Sequence, residues 1–202
     1  MEKRSRRIHR WFLAAGWCAA VGSGAVWLTR YSFAGDLPVT SRGWPGLQAF
    51  SLDPSHPTLV LVLHPRCACS RASAEQLDRL VARHAGRFEV HVLFVIPTGE
   101  EASWSDTDLR TRVEAIPGVH VHLDMRGRDA ALLAASRSGD TMLFSPTGDL
   151  LFRGGLTASR GHAGDSIGTD ALSAVLSHGG KASVAPPIFG CGLAGSRRET
   201  SR

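Results

Sequence analysis

The sequence predicts an α/β domain, a mixed sheet with helices on both faces, preceded by one N-terminal transmembrane helix. Three features carry that expectation. Short apolar runs alternate with segments whose apolar residues recur at helical spacing. Late in this pattern TMLFSPTGDLLFRGG reads as a hairpin, which makes the sheet mixed. Residues 11–28 carry no charged side chain.

MEKRSRRIHR, residues 1–10, is a basic head expected in the cytoplasm. Residues 11–30 are the anchor. The uncharged run from Trp11 to Leu28 is near the lower length limit for crossing a bilayer, and Trp11, Trp27 and Tyr31 suit its two interfaces. A cleaved signal peptide is the alternative, because Ser32-Phe33-Ala34 resembles a small-residue cleavage site, but the apolar run is long for one. Cys18 falls inside the span. Either way the rest of the chain is exported, to a compartment where cysteine pairs can oxidise.

The formal net charge of +5 suggests a polyanion partner until it is located. Six of the 23 basic residues but only one of the 18 acidic ones lie in the first thirty positions, so the exported part is neutral. Nucleic acid is therefore not an expected partner.

Residues 31–47 contain Gly35, Pro38, Gly43, Pro45 and Gly46 without periodicity and read as a linker. The domain is expected over 48–178. Its first strand is the apolar run 59–63, followed by a helix over 72–84, a strand over 90–96 and a helix over 106–116 stopped by Pro117-Gly118. A strand over 119–124 and a helix over 129–136 come next. The hairpin pairs 141–145 with 150–153 around Pro146-Thr147-Gly148-Asp149, and a helix over 169–177 closes the domain. Residues 179–202 form a C-terminal tail that contains Cys191.

HPRCACS, residues 64–70, follows the first strand directly and places Cys67 and Cys69 one residue apart. A strand running into a cysteine pair at a helix start, with a later hairpin of this form, resembles the thioredoxin-like fold over about residues 48–178. The closest resemblance is to RedB-type proteins, small membrane-anchored bacterial proteins with an HPxCxC stretch. GGLTASRGHAGDSIG, residues 154–168, and PPIFGCGL, residues 186–193, are also similar to them. The resemblance implies a thioredoxin-like domain of suspected redox function; with the anchor, the expected protein is single-pass in a bacterial inner membrane, its C-terminal domain on the periplasmic side exchanging protein thiols and disulfides.

A helix N-terminus offers free N–H groups and a positive dipole end, which stabilise a thiolate. Cys67, nearest the strand-to-helix junction, is the expected nucleophile. Cys69 is the first choice as resolving thiol and Cys191 the second. Neighbours two apart on a helix point to different sides, so a Cys67–Cys69 bridge needs Cys67 outside the helix and some strain, and would be oxidising or isomerase-like. Thioredoxin-like proteins usually place a cis-proline before the hairpin strand. Here that position falls on Gly139 or Asp140, so the loop beside the cysteines must be built differently.

Supporting roles are expected for His64 and Pro65, which fix the strand end, and for Arg160, His162 and Asp165 in a glycine-rich loop. Arg160 or His162 near a thiolate would lower its pKa, and Asp165 would orient the imidazole. No cofactor is expected under this reading. The alternative is a copper or zinc binding or delivery module, with His64, Cys67, Cys69, His162 and Cys191 as soft nitrogen and sulfur ligands. A fold serving only as an assembly module is a third expectation. His120 and His122 share one side of a strand and read as a solvated or edge face.

Overall fold

The structure is a computed structural model that describes residues 2–39 and 43–193, with only the backbone of residues 2–9. Residues 194–202 of the expected tail lie outside the described residues, as do residues 40–42. The chain falls into two units, Met1–Ala34 and Gly35–Arg202. The first is one helix, α1 (Glu2–Phe33), in which the 24 residues Arg10–Phe33 are long and apolar enough to cross a membrane. Its described side chains are almost all exposed, Cys18 among them.

The second unit is built on five strands: β1 (Thr58–Leu63), β2 (Glu89–Ile96), β3 (Val119–Met125), β4 (Asp140–Phe144) and β5 (Leu150–Gly154). Their order across the sheet is β3-β2-β1-β4-β5. β1, β2 and β3 run parallel, while β4 is antiparallel to β1 and forms a hairpin with β5. A central β1 flanked by a parallel partner and an antiparallel hairpin is the thioredoxin-like pattern, here with β3 added at the parallel edge. Every residue of β1 is buried, which explains its unbroken apolar run.

α2 (Ala68–Arg83), α3 (Asp108–Glu114) and α5 (Ile167–His178) supply Leu77, Leu80, Leu109, Val113, Leu172 and Val175 to the core on one sheet face. On the other face α4 (Arg128–Leu132) and residues 44–52 cover Val60, Val62, Leu93, Met142 and Phe144. Serine and threonine set several boundaries. Ser166 and Thr169 form a capping box at the start of α5. Thr107 accepts the Arg110 N–H at the start of α3, so the helix expected over 106–116 is shortened to Asp108–Glu114, and a separate 3-10 turn (Ala102–Ser105) precedes it. α4 ends short of the expected 136 because Ala134 turns left-handed at φ 52°. α2 begins at Ala68, a turn earlier than apolar spacing indicated, which brings both cysteines into its start.

The stretch expected as a linker is pinned to the domain at Asp36 and at Trp44. The Asp36 N–H donates to Ile188 O at 3.2 Å, and the Trp44 N–H donates to Gly148 O at 2.8 Å. Trp44 meets Phe144 edge-on at 5.2 Å between ring centroids. Of the expected tail, residues 186–193 run back over the sheet end, with Ile188, Phe189 and Leu193 all buried.

β3 is an edge strand, and His120 is exposed on it. His122 is half-buried and joins His91 of β2, Nε2 to Nδ1 at 2.9 Å, while Phe50 stacks on the His91 ring at 3.8 Å. Burial, then the charges His122 and His120 would carry, push His91 down to about 4. Glu89 lies 3.6 Å from His120, and Asp129 opposes the downward shift of His122. Between pH 6.5 and about 4 the unfolded chain therefore binds a proton at His91 that the folded chain refuses, and stability falls as pH falls through that window. Allowing for solvent screening, the loss is roughly 2 kcal/mol. Unfolding of the full chain in detergent at pH 7 and pH 4.5 measures it. His91→Phe should flatten the slope, and an unchanged slope would show that His91 takes its proton in place.

Candidate functional site

The candidate site lies where β1 hands over to α2. His64, Pro65, Arg66 and Cys67 form a turn closed by the Cys67 N–H donating to His64 O at 3.1 Å. Pro65, buried at the second position, has the φ such a turn needs. Cys67 then serves as the N-cap of α2 with extended backbone, φ −90° and ψ 122°, so it stands outside the helix proper. The Ser70 N–H donates to Cys67 O at 3.1 Å. The Ser70 hydroxyl, beside the Cys67 sulfur, donates to His64 O at 3.1 Å or pairs with the Ser138 hydroxyl at 2.6 Å. Ser138 Oγ also accepts the His64 N–H at 2.9 Å, tying the strand end to the loop before β4. Gly139, at φ 92°, stands in that loop immediately before Asp140.

Cys191 reaches this point from the far end of the domain. Its thiol and its backbone N–H lie beside the Cys67 sulfur and lower its pKa. Cys67 is only 3% exposed, and that burial alone would push its pKa up. The donors from Cys191, then those from Ser70, outweigh burial and hold the thiol below its ordinary value. The two neighbouring thiols move the other way. Burial and then the Cys67 charge raise Cys69. Cys191 is exposed as a residue but turns its sulfur onto Cys67; desolvation of that sulfur, its donor role and the Cys67 charge push it up to about 12. Arg160 opposes both rises and donates from Nη1 to Gly190 O at 2.9 Å. The cluster therefore favours one thiolate, at Cys67, between two protonated thiols.

The other expected site residues are distributed around this cluster. The His64 ring meets Trp104 edge-on at 5.0 Å, and Nδ1 accepts the Arg66 N–H at 3.3 Å. Burial and the Arg66 charge lower its pKa, which keeps it neutral near pH 7. Arg66 stacks over Trp104 at 4.7 Å. Of the glycine-rich loop, Arg160 reaches the thiols. His162 is exposed with its ring against Gly164. Asp165, expected to orient His162 beside a thiolate, instead borders a groove with Gln76, Arg79 and Arg83, two turns or more along α2 from the cysteines. Among the described residues no group of three or more His, Cys, Asp or Glu side chains is arranged to hold a metal ion.

Sequence reasoning missed Ser70, Ser138 and Gly190. Ser70 had a signal, since a serine three residues after an N-cap is placed to meet it. Ser138, through its hydroxyl, and Gly190, through its carbonyl, act on residues far away in sequence, which no local pattern announces.

No protein-family model matches the chain, and no curated protein does. Solved structures do. A hypothetical protein from Sinorhizobium meliloti 1021 superposes with a TM-score of 0.61 at 19% identity, covering 79% of this chain and 97% of that one. An uncharacterized conserved protein from Geobacillus kaustophilus gives 0.57 at 15% identity, covering 80% and 93%. What they share is the fold. A secreted disulfide oxidoreductase of Mycobacterium tuberculosis, homologous to E. coli DsbE, matches more loosely, with a TM-score of 0.44 at 12% identity over 74% of this chain and 97% of that one.

Proposed function

We propose that the chain is a membrane-anchored, extracytoplasmic thiol–disulfide oxidoreductase acting on protein thiols or disulfides, with Cys67 as its nucleophile. The observation that carries this reading is the placement of Cys67 at the N-cap of α2 with Cys191 and Ser70 beside its sulfur, which hold its thiol below the ordinary range. Donors aimed at a sulfur stabilise its thiolate, and the thiolate is the form that attacks a disulfide. The apolar helix Arg10–Phe33 behind a basic N-terminus supports the anchor and the export of the domain. The RedB-type likeness of HPRCACS and the two later segments supports a periplasmic setting on a bacterial inner membrane.

The test is a redox titration of the full chain in glutathione buffers, with thiol trapping and peptide mass spectrometry. A reversible disulfide that includes Cys67 is the expected result, and its midpoint gives the direction of electron flow. If all three exported thiols stay unpaired across the range, exchange fails as the function. Copper or zinc binding by the same cysteines then leads, and stoichiometric metal lost on Cys69→Ser would be its signature.

A further inference from the structure

The C-terminal arm, residues 186–193, is held to the loop before β4 by antiparallel pairing at residues 191–193. Arg137 and Gly192 form a β-bridge, the Ser138 N–H donates to Cys191 O at 2.9 Å, and the Leu193 N–H donates to Ser136 O at 3.0 Å. On the arm's other side Ile188 pairs with Asp36, with N–H to O distances of 2.8 and 3.2 Å. Gly190 lies so close to the loop that a Cβ would sit 1.7 Å from Ser138 O. Its own carbonyl accepts from Arg137 Nη1 at 3.1 Å and Arg160 Nη1 at 2.9 Å. Ile188, Phe189 and Leu193 are each 6% exposed or less, while Cys191 between them is exposed. Pairing and anchors together fix the register that puts Cys191 against Cys67.

Cys69 is less well placed to close a bond with Cys67. It lies in the first turn of α2, two residues beyond the Cys67 cap, and although its thiol also meets the Cys67 sulfur, a bond between the two would close a tight ring over Ala68 alone. A disulfide needs its two Cβ atoms about 4 Å apart with converging directions, so joining these two would distort the turn. Cys191 comes from a separate segment and can approach without disturbing the helix.

We infer that Cys191 is the resolving thiol of the exchange, delivered by the C-terminal arm, and that the working disulfide of this protein is Cys67–Cys191. The inference rests on the proposed exchange function. With the arm down, Cys67 is buried, so an incoming disulfide reaches it when the arm lifts. The Cys67 thiolate attacks one sulfur of the substrate disulfide; that S–S bond breaks, a mixed disulfide forms on Cys67, and the departing thiolate takes a proton. The arm returns, Cys191 loses its proton and attacks the Cys67 sulfur, and the second substrate thiolate leaves. One substrate disulfide becomes two thiols, and two protein thiols become one disulfide. A dithiol reductant restores the starting state, and the reverse sequence oxidises a substrate dithiol.

Trypsin separates the candidates, because Cys67 and Cys69 share the peptide 67–71 whereas Cys191 lies in 182–197. The reduced full chain is oxidised with glutathione disulfide, quenched with N-ethylmaleimide and mapped without reduction. The expected product links 67–71 to 182–197 through Cys67, with Cys69 alkylated. Cys191→Ser should then lengthen the life of the Cys67–glutathione mixed disulfide about tenfold or more, while Cys69→Ser resolves as the native chain does. A bond confined to 67–71, with Cys69→Ser as the trapping variant, would overturn the assignment and leave the exchange function standing. Absence of any mixed disulfide on Cys67, in the native chain and both variants, would overturn both.

Discussion

Replacing Cys67 by serine is expected to abolish mixed-disulfide formation with protein disulfides, reducing capture to the background of a chain lacking Cys67, Cys69 and Cys191. Serine keeps the cap geometry but supplies no thiolate, and neither neighbour can substitute. Cys69 and Cys191 are both held above the ordinary thiol range, Cys191 at about 12, so near pH 7 they are protonated. The elevation has a cause that the substitution partly removes, since the Cys67 charge raises both. Burial remains, and it is the first cause in each case. Trapping with a disulfide-bonded target protein, read on non-reducing gels, measures the effect. A Cys67→Ser chain that still captures its target at the native rate would move the nucleophile to another cysteine. Ser70→Ala provides a milder check. It removes one donor from the Cys67 sulfur, so the pH midpoint of Cys67 alkylation should rise, and with it the pH at which exchange reaches half its maximum.

The parts of this site that could be read in the sequence are those set by local chemistry. An unbroken apolar run gave β1, a proline gave the turn after it, and the cysteines followed at the junction. The hairpin was legible because Pro146 and Gly148 mark its turn, and the Ser145 N–H does donate to Asp149 O at 2.8 Å there. Local pattern misplaced what tertiary pairing decides. Residues 31–47 look like a linker because glycine and proline break every period, yet Trp44 packs on Phe144 and Asp36 pairs with Ile188. Asp165 sits near Arg160 and His162 in sequence, but the loop carries it toward Arg79 and Arg83. The helix start at Ala68 was hidden for a different reason. Its first turn holds Ala68, Cys69 and Ser70, which carry little of the apolar spacing by which helices are recognised.

Arg153→Met is expected to cost about 3–5 kcal/mol of stability at pH 7, the largest loss we anticipate from any single change outside the thiols. Asp140 is 1% exposed and Arg153 6%. Arg153 Nη2 donates to Asp140 Oδ2 at 2.7 Å and to Ala134 O at 3.0 Å, and Nε reaches Oδ1 at 3.3 Å. Burial raises the Asp140 carboxyl, and Arg153 pulls it back. With the arginine gone, only the rise remains, so the loss should shrink as pH falls and the acid takes up a proton. Unfolding of the full chain in detergent at pH 7 and pH 5 tests both the size and the sign. The double variant Asp140→Asn, Arg153→Met should recover most of the stability, because the cost lies in the unpaired buried charge. A single-variant loss below about 1 kcal/mol at both pH values would show that water reaches the pair. The pair also bears on the chemistry. Asp140 directly follows the loop to which the arm is paired, so a chain that loses Arg153 should present Cys67 less fully covered, and its alkylation should quicken under conditions where the fold persists.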